Sequence, residues 1–330
     1  MKHKIMLSFL LLSILSFPES HSVASSTAIS EKEMLEKRLE LFKNMETAVQ
    51  LPWYYLAAAD QYERSIRQAR NDVESVKGNI SIHIKPAQWS GALNPNQEDT
   101  NPYSISVFNG IGKDGNGDHV ADLTSDEDLL FTFANFLLAY GSDEDNIRIG
   151  LWNFYKRDKA VGIIMGNAKL FKKFNRIDLQ EKAFPVPVKT NYTYRSTWGV
   201  ARGWGGRRSH EGTDIFAHYS LPVRATCYGI VEMKGWNKYG GWRIGIRDIN
   251  NTYHYFAHLN GFKDGIKVGD IVKPGQVIGG VGSTGYGPPG TSGKFPPHLH
   301  FGMYKDNGKI EWSFDPTPHL RAWERKELSK

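Results

Sequence analysis

Three short segments carry side chains whose type and spacing suit chemistry. His210-Glu-Gly-Thr-Asp214 sets an imidazole and a carboxylate four residues apart. Gly212 between them, in a strand-rich setting, points to a bend entering a strand rather than to a helix. Tyr255-Phe-Ala-His258-Leu259 closes an alternating run. Pro297-His298-Leu299-His300-Phe301-Gly302 spaces two histidines at the period of a strand, which puts both rings on one face and within reach of one centre. Two imidazoles and one carboxylate are suitable ligands for a catalytic zinc, with the fourth position open for water. Singly, each segment has a plain structural reading: a surface His-x-His strand, a paired His and Asp, an ordinary strand. Their joint occurrence, in this order and in one glycine-rich region, gives them weight. The lone cysteine, Cys227, excludes a disulfide framework and any CxxC pair, so a metal site must be built from His, Asp and Glu. Seven of the eleven histidines lie between His210 and His319.

The elements that must position these groups change character along the chain. Residues 1–184 hold 10 of the 33 glycines and residues 185–330 hold 23. In the first part, Leu35, Leu39 and Phe42 recur at helical spacing, predicting an amphipathic helix over 31–49. Pro52 suits the first turn of a second helix reaching about Arg70. Thr124 or Ser125 caps a third, with acids in its first turn and Gly141 as its stop, and 146–172 reads as one or two more. The second part alternates, with strands expected over 223–233, 242–247, 252–259, 268–274 and 277–280. The fold class expected is therefore α+β and multidomain, a helical domain followed by an all-β one. The join falls at Phe184-Pro-Val-Pro-Val, where two prolines forbid a continuing helix.

The 330 residues, 40% hydrophobic, exclude a disordered chain and suffice for two domains. Lys2 and Lys4, the apolar run 5–17, Pro18 and the small residues Ser22 and Ala24 follow the order of a secretory signal peptide cut after Ala24. This run of thirteen residues falls short of the roughly 20 needed to span a bilayer, so export without stable membrane insertion is expected. Without that segment's two lysines and one glutamate the net charge of +6 becomes +5. No dense Lys/Arg block points to nucleic acid, and an anionic polymer outside the cell suits the mild basic excess.

His210-x-x-x-Asp214, the segment ending at His258, and His298-Leu-His300 resemble the lysostaphin/LytM-type zinc metallopeptidases. Leu221-Pro-Val-Arg-Ala, the glycine-rich run 268–279 and Gly282-Ser-Thr-Gly285 agree, and the resemblance covers about 185–318. It implies a duplicated hybrid β motif and a peptidoglycan-cleaving endopeptidase with one Zn2+. It further implies His210, Asp214 and His300 as the metal ligands and His258 and His298 as catalytic groups flanking the open position. Either of the two can be the general base. His254, four residues before His258, would share its strand face and is the weaker candidate. Asn191 is a remote candidate for a latency residue, and the long loop 286–297 is expected to act on substrate choice. The domains are then 1–24 signal peptide, 25–183 helical domain, 184–318 peptidase domain and 319–330 C-terminal tail.

In the helical part, Leu51-Pro-Trp-Tyr-Tyr-Leu-Ala-Ala-Ala-Asp-Gln-Tyr-Glu63-Arg64 resembles the first helix of lysozyme-like lytic transglycosylases. The serine expected after the catalytic glutamate is Arg64, and a Gly-Leu-Met-Gln stretch is missing, so glycan binding without catalysis by Glu63 is the favoured implication. Asp114-Gly-Asn116-Gly-Asp118 resembles the opening of a calcium loop. His119 replaces its glycine and Ser125 its bidentate glutamate, which favours a Gly/Asp-rich turn over calcium. As a whole the chain is similar to the sporulation-specific L-Ala–D-Glu endopeptidases of spore-forming Gram-positive bacteria. That implies a secreted or envelope protein trimming peptidoglycan stem peptides during spore cortex maturation. The alternatives are an endopeptidase of the same family cutting D-Ala–diaminopimelate or glycine bridges, and a non-catalytic wall-binding or amidase-activating module. Oligomeric state is not legible.

Overall fold

The computed structural model describes residues 30–73, 78–203 and 207–330. The expected signal peptide, 1–24, lies outside them.

Helices come first: α1 (Glu31–Val49), α2 (Trp53–Gln68), α3 (Pro86–Trp89), α4 (Pro102–Val107), α5 (Asp126–Leu138), α6 (Glu144–Tyr155) and α7 (Asp158–Phe174). Local chemistry explains their ends. The Ser30 hydroxyl accepts from Glu33 N while the Glu33 carboxylate accepts from Ser30 N, closing a capping box on α1. Pro52 precedes α2 as its cap, and Ser125 rather than Thr124 caps α5 by accepting from Asp128 N. Apolar faces of these helices, with residues from Phe42 to Leu179, form one buried cluster. Asp60, fully buried on α2, is answered by Arg38 of α1 and by Arg64 one turn on.

The strands follow: β1 (Tyr192–Tyr194), β2 (Ala201–Arg202), β3 (Arg208–Ser209), β4 (Thr213–Ala217), β5 (Pro222–Arg224), β6 (Gly229–Asn237), β7 (Gly241–Asp248), β8 (Thr252–Phe262), β9 (Ile271–Val272), β10 (Val277–Val281), β11 (His298–Asp306) and β12 (Glu311–Phe314). Helix α8 (Thr317–Leu328) ends the chain. The main antiparallel sheet runs β1-β4-β11-β8-β7-β6-β9, with β12 on β11 and β10 joining β5 to β8; β2 and β3 form a separate hairpin. A second buried cluster runs from Phe184 to Trp323.

Three sequence expectations need correction. The strand over 223–233 is broken at 225–228, because that stretch turns to the inter-half segment: Ala183 N donates to Thr226 O and Lys182 bridges Cys227. The strand over 268–274 shrinks to Ile271–Val272, flanked by Gly269 and Gly275 at φ of 89° and 82°. The 319–330 stretch is no loose tail: it belongs to α8, whose Leu320 and Trp323 enter the second cluster.

The two clusters meet. Ile249 of the β half is buried in the helical cluster. Arg157, ahead of α7, makes two parallel bonds of 2.8 and 2.7 Å to the buried Asp306 at the end of β11.

Candidate active site

Register places the groups. On β11, His300 stands opposite Asp214 of β4 and Ala257 of β8, while His298 stands opposite Phe216. His210 leads into β4, and the ring of His300 needs the space beside Gly212. A Cβ there would fall 2.7 Å from His300 Cε1 and 2.6 Å from the Phe301 carbonyl oxygen. Asp214 Oδ1 lies 3.2 Å from His210 Nε2 and 3.0 Å from His300 Nδ1, and those two nitrogens are 2.9 Å apart. One ligand atom from each of the three side chains lies within 4.8 Å of the others. His210 Nδ1 is 2.9 Å from the Thr197 carbonyl, which accepts its proton and turns the Nε2 lone pair into the group.

Two more imidazoles close the site. His258 Nδ1 is 2.8 Å from the carbonyl oxygen of Thr284, and His298 Nδ1 is 2.8 Å from that of Pro296. A carbonyl only accepts, so each Nδ1 carries the proton and each Nε2 keeps a lone pair. His298 Nε2 is buried with no hydrogen-bond partner among the described residues and lies 3.8 Å from Asp214 Oδ1. The His258 ring is centred 4.9 Å from that of His298 and 5.9 Å from that of His300.

The placing of His258 differs from the alternation expected of its strand. His254 and Phe256 point into the core, where His254 bonds Thr226 and Asp248 and lies beside Trp323. Tyr255 and Ala257 point to the site. Strict alternation would bury His258 with His254. Instead, Trp242 pairs with Leu259 and Ile244 with Phe256, so β8 has one residue more than β7. His258 is that point, at φ 61°. The bulge turns its ring to the site and leaves His254 behind.

Electrostatics agree with a cation-binding centre. Burial opposes ionisation of Asp214, yet the hydrogen bonds of His210 and His300 outweigh it and hold the carboxyl far below the usual carboxylate range. Burial, then the neighbouring His298 and His300, push His258 well below the ordinary imidazole value. Burial also lowers His298 and His300, so these rings stay neutral as ligands or bases. A convergent His2Asp set with an ionised carboxylate, beside the buried Nε2 of His298, fits a divalent metal with an open position.

Several neighbours carried no signal in the sequence. Arg202 donates to Asp214 Oδ2 and lies 2.9 Å from His210 Nε2, and Arg208 donates to the hydroxyl of Tyr286. A hairpin arginine reads as a solvated charge until its partner is known. Asn191 is exposed at the approach to β1. Of the 286–297 loop, Tyr286 lines the cavity beside the three converging side chains, and the Phe295 ring lies 4.7 Å from that of His258. Asp114, Asn116 and Asp118 accept from N–H groups of their own loop. The second convergent group, Cys227, Asp248 and His254, is buried in the core with Lys182 2.8 Å from Asp248.

The profile of Peptidase family M23 matches residues 208–312, the stretch that holds all five converging His and Asp side chains. The L-Ala--D-Glu endopeptidase of Bacillus subtilis strain 168 is 64% identical to this chain over 327 residues, 99% of each. The chain belongs to peptidase family M23. It is an enzyme, a metallopeptidase, which sets aside the reading of the fold as a non-catalytic module. The glycyl-glycine endopeptidase ALE-1 of Staphylococcus capitis is 37% identical over 34% of this chain and 30% of its own length. The solved catalytic domain of lysostaphin from Staphylococcus simulans is 33% identical over 40% of this chain and 92% of that domain, with a TM-score of 0.32.

Proposed function

We propose that this chain hydrolyses the L-Ala–D-Glu bond of peptidoglycan stem peptides, with one Zn2+ held by His210, Asp214 and His300. The observation that carries the bond assignment is the 64% identity, over 99% of both chains, to a protein named for that activity. A zinc ion in this donor set supplies a water nucleophile near neutral pH and Lewis-acid polarisation of the scissile carbonyl.

The chain's own residues do the rest. The Nε2 atoms of His258 and His298 begin as acceptors, because their Nδ1 protons are held by backbone carbonyls. Either can take the proton of the attacking water. Once protonated, that ring becomes a donor, able to stabilise the oxyanion or to pass the proton to the departing D-Glu nitrogen. Both being buried and neutral, neither loses its base function to protonation near pH 7. Loop 286–297 shapes the substrate side, with Tyr286 and Phe295 packed against His258.

The domain limits that fit this reading are 25–183 for a lysozyme-like helical unit and 184–318 for the peptidase unit. The helical unit holds the glycan strand without cutting it. Burial pushes Glu63 up to about 7 against the pull of Arg67 and Tyr155, and it lines a cleft with Arg67, Arg70, Asp72 and Asp126. Export and work on the spore cortex complete the reading; among the described residues no helix is long and apolar enough to cross a membrane.

Digestion of purified peptidoglycan followed by mass spectrometry tests it. The expected products are glycan strands with stems ending at L-Ala and released peptides beginning at D-Glu. Severed cross-links with intact L-Ala–D-Glu bonds would overturn the bond assignment. Chelation should abolish release and added zinc restore it; full activity of metal-free protein would overturn the zinc reading.

A further inference from the structure

Cleavage between L-Ala and D-Glu leaves a single amino acid on the glycan, so the sugar that carries the stem lies one residue from the scissile carbonyl. One extended residue reaches about 3.5 Å, less than the roughly 4.8 Å between neighbouring strands. The sugar must therefore rest within a strand or so of the converging His and Asp side chains. The sheet offers it two directions.

Towards β8 and β7 the site is walled. The cavity of about 290 Å3 beside His258 has room for a residue or two of substrate, not for a polymer that continues on both sides. Towards β4 and β1 the site is open. β4 alternates: Ile215 is fully buried in the core, whereas Asp214 and Phe216 face the site. Phe216 stands directly across from His298, with the two rings centred 5.1 Å apart and 36° from parallel, yet 42% of Phe216 stays exposed. Its partner on the other side is Thr193 of β1, also exposed, and β1 is the edge of the sheet. Among the described residues, Phe216 joins neither apolar cluster, so its ring is not held there by the packing of the core. A solvent-facing aromatic ring on the reactive face of a strand is suited to covering an apolar face of a ligand, and the C–H groups of a sugar ring make such a face.

We propose that Phe216 is a specificity-determining residue of this peptidase, forming the platform for the muramyl sugar that bears the L-Ala stem. The assignment rests on the L-Ala–D-Glu reading. A bond deeper in the stem would leave the sugar at least one more residue away, beyond the edge that Phe216 and Thr193 form.

The test compares two substrates of the same L-Ala–D-Glu–diaminopimelate sequence. One has the L-Ala nitrogen joined to N-acetylmuramic acid; the other has it acetylated, so that both are uncharged there. Full-length zinc-loaded protein is used, and products are identified by mass spectrometry. The wild type should cleave the muramyl form with a kcat/KM about 5- to 30-fold above the acetyl form, the worth of covering part of an aromatic ring, with the difference mainly in KM. Phe216→Ala should lose that preference, and Phe216→Trp should keep it. Because Phe216 also lies against His298, its truncation can slow both substrates alike, and the ratio between them separates that effect from sugar binding. Phe216→Leu keeps bulk beside His298 without the flat ring; it should also lose the preference, and it serves if the alanine variant fails to fold. Equal wild-type rates on the two substrates, or a full preference retained in a folded Phe216→Ala or Phe216→Leu protein, would overturn the role of Phe216 while leaving the bond assignment standing. Cleavage at another bond would overturn both.

Discussion

The five groups of the site divide by which donor atoms converge. His210, Asp214 and His300 crowd theirs onto one point, whereas His258 and His298 stand beside it, and the Nδ1 atoms of His210, His258 and His298 are all held by backbone carbonyls. That division predicts a clean separation of mutant behaviour. His300→Ala should lose zinc, measured by metal analysis after gel filtration, and lose activity with it. His298→Gln should keep near-stoichiometric zinc and lose about 100- to 10,000-fold in kcat, the usual weight of a proton-transfer group. Zinc loss in the second variant and zinc retention in the first would mean that the roles are exchanged. Part of this was legible. Strand period 2 put His298 and His300 on one face, while the meeting of that pair with His210 and Asp214 was legible only through resemblance, because it depends on the distant pairing of β4 with β11. His258 was legible only through resemblance. Alternation alone would have buried it beside His254, and the extra residue that turns it out depends on pairing across β7, β8 and β10. Arg202 and Arg208 were not legible at all, since their partners, Asp214 for one and the Tyr286 hydroxyl for the other, lie in other segments.

Among elements, capping chemistry was the readable part and strand ends the unreadable part. Ser125 sets the start of α5 with its side chain, as expected, and Pro52 stands one residue ahead of α2 rather than inside its first turn, with no side-chain cap. The end of β5 is decided by a backbone bond from Ala183, which no local pattern announces. Helix α8 was not among the expected elements; Pro318 stands in its first turn, where a missing N–H does no harm. Two predictions belong to this scale. β4 and β11 approach so closely at Gly212 that Gly212→Ala should cost about 1–3 kcal/mol in urea unfolding and weaken zinc binding by displacing His300. Unchanged stability and zinc affinity would show that the strands can separate freely there. On α2, Glu63 has an ordinary value of 4.5 when exposed and about 7 in the fold, chiefly through burial. The folded state then binds more protons than the unfolded one between those values, so this group's contribution to stability falls as pH rises from 4.5 to about 7. Glu63→Gln should therefore leave Tm unchanged at pH 5 and raise it by roughly 2–4 °C at pH 8. A loss of Tm at pH 8 would mean that the ionised carboxyl is stabilised by its neighbours instead.

At the scale of the whole molecule, the question is whether the helical half and the sheet act as one body. Their apolar clusters are separate, but Ile249 crosses into the helical one, and the ion pairs Arg157–Asp306 and Lys159–Glu311 tie the start of α7 to β11 and β12. Asp306 is the strongest of these ties. It is fully buried, its two oxygens are taken by the Arg157 guanidinium, and Asn251 also donates to it. Burial opposes its ionisation, yet the hydrogen bonds and charge of Arg157 outweigh that and hold its carboxyl below the usual carboxylate range. A carboxyl held lower in the folded state than in the unfolded one stabilises fully above the unfolded value and loses that contribution as pH falls through the folded one. Asp306→Ala leaves Arg157 facing a buried site without its partner, a change that costs about 3–5 kcal/mol for a buried pair. The cost falls on the contact between halves rather than on either apolar cluster. Calorimetry at pH 7 should show one cooperative transition for the wild type and two for Asp306→Ala, and acidification of the wild type should produce the same division as Asp306 gains its proton. A single transition that merely shifts to lower temperature would mean that Ile249 and the surrounding apolar contact couple the halves without the ion pair. In the divided protein, zinc binding should persist, because each of its ligands lies between His210 and His300 on the sheet side of that contact.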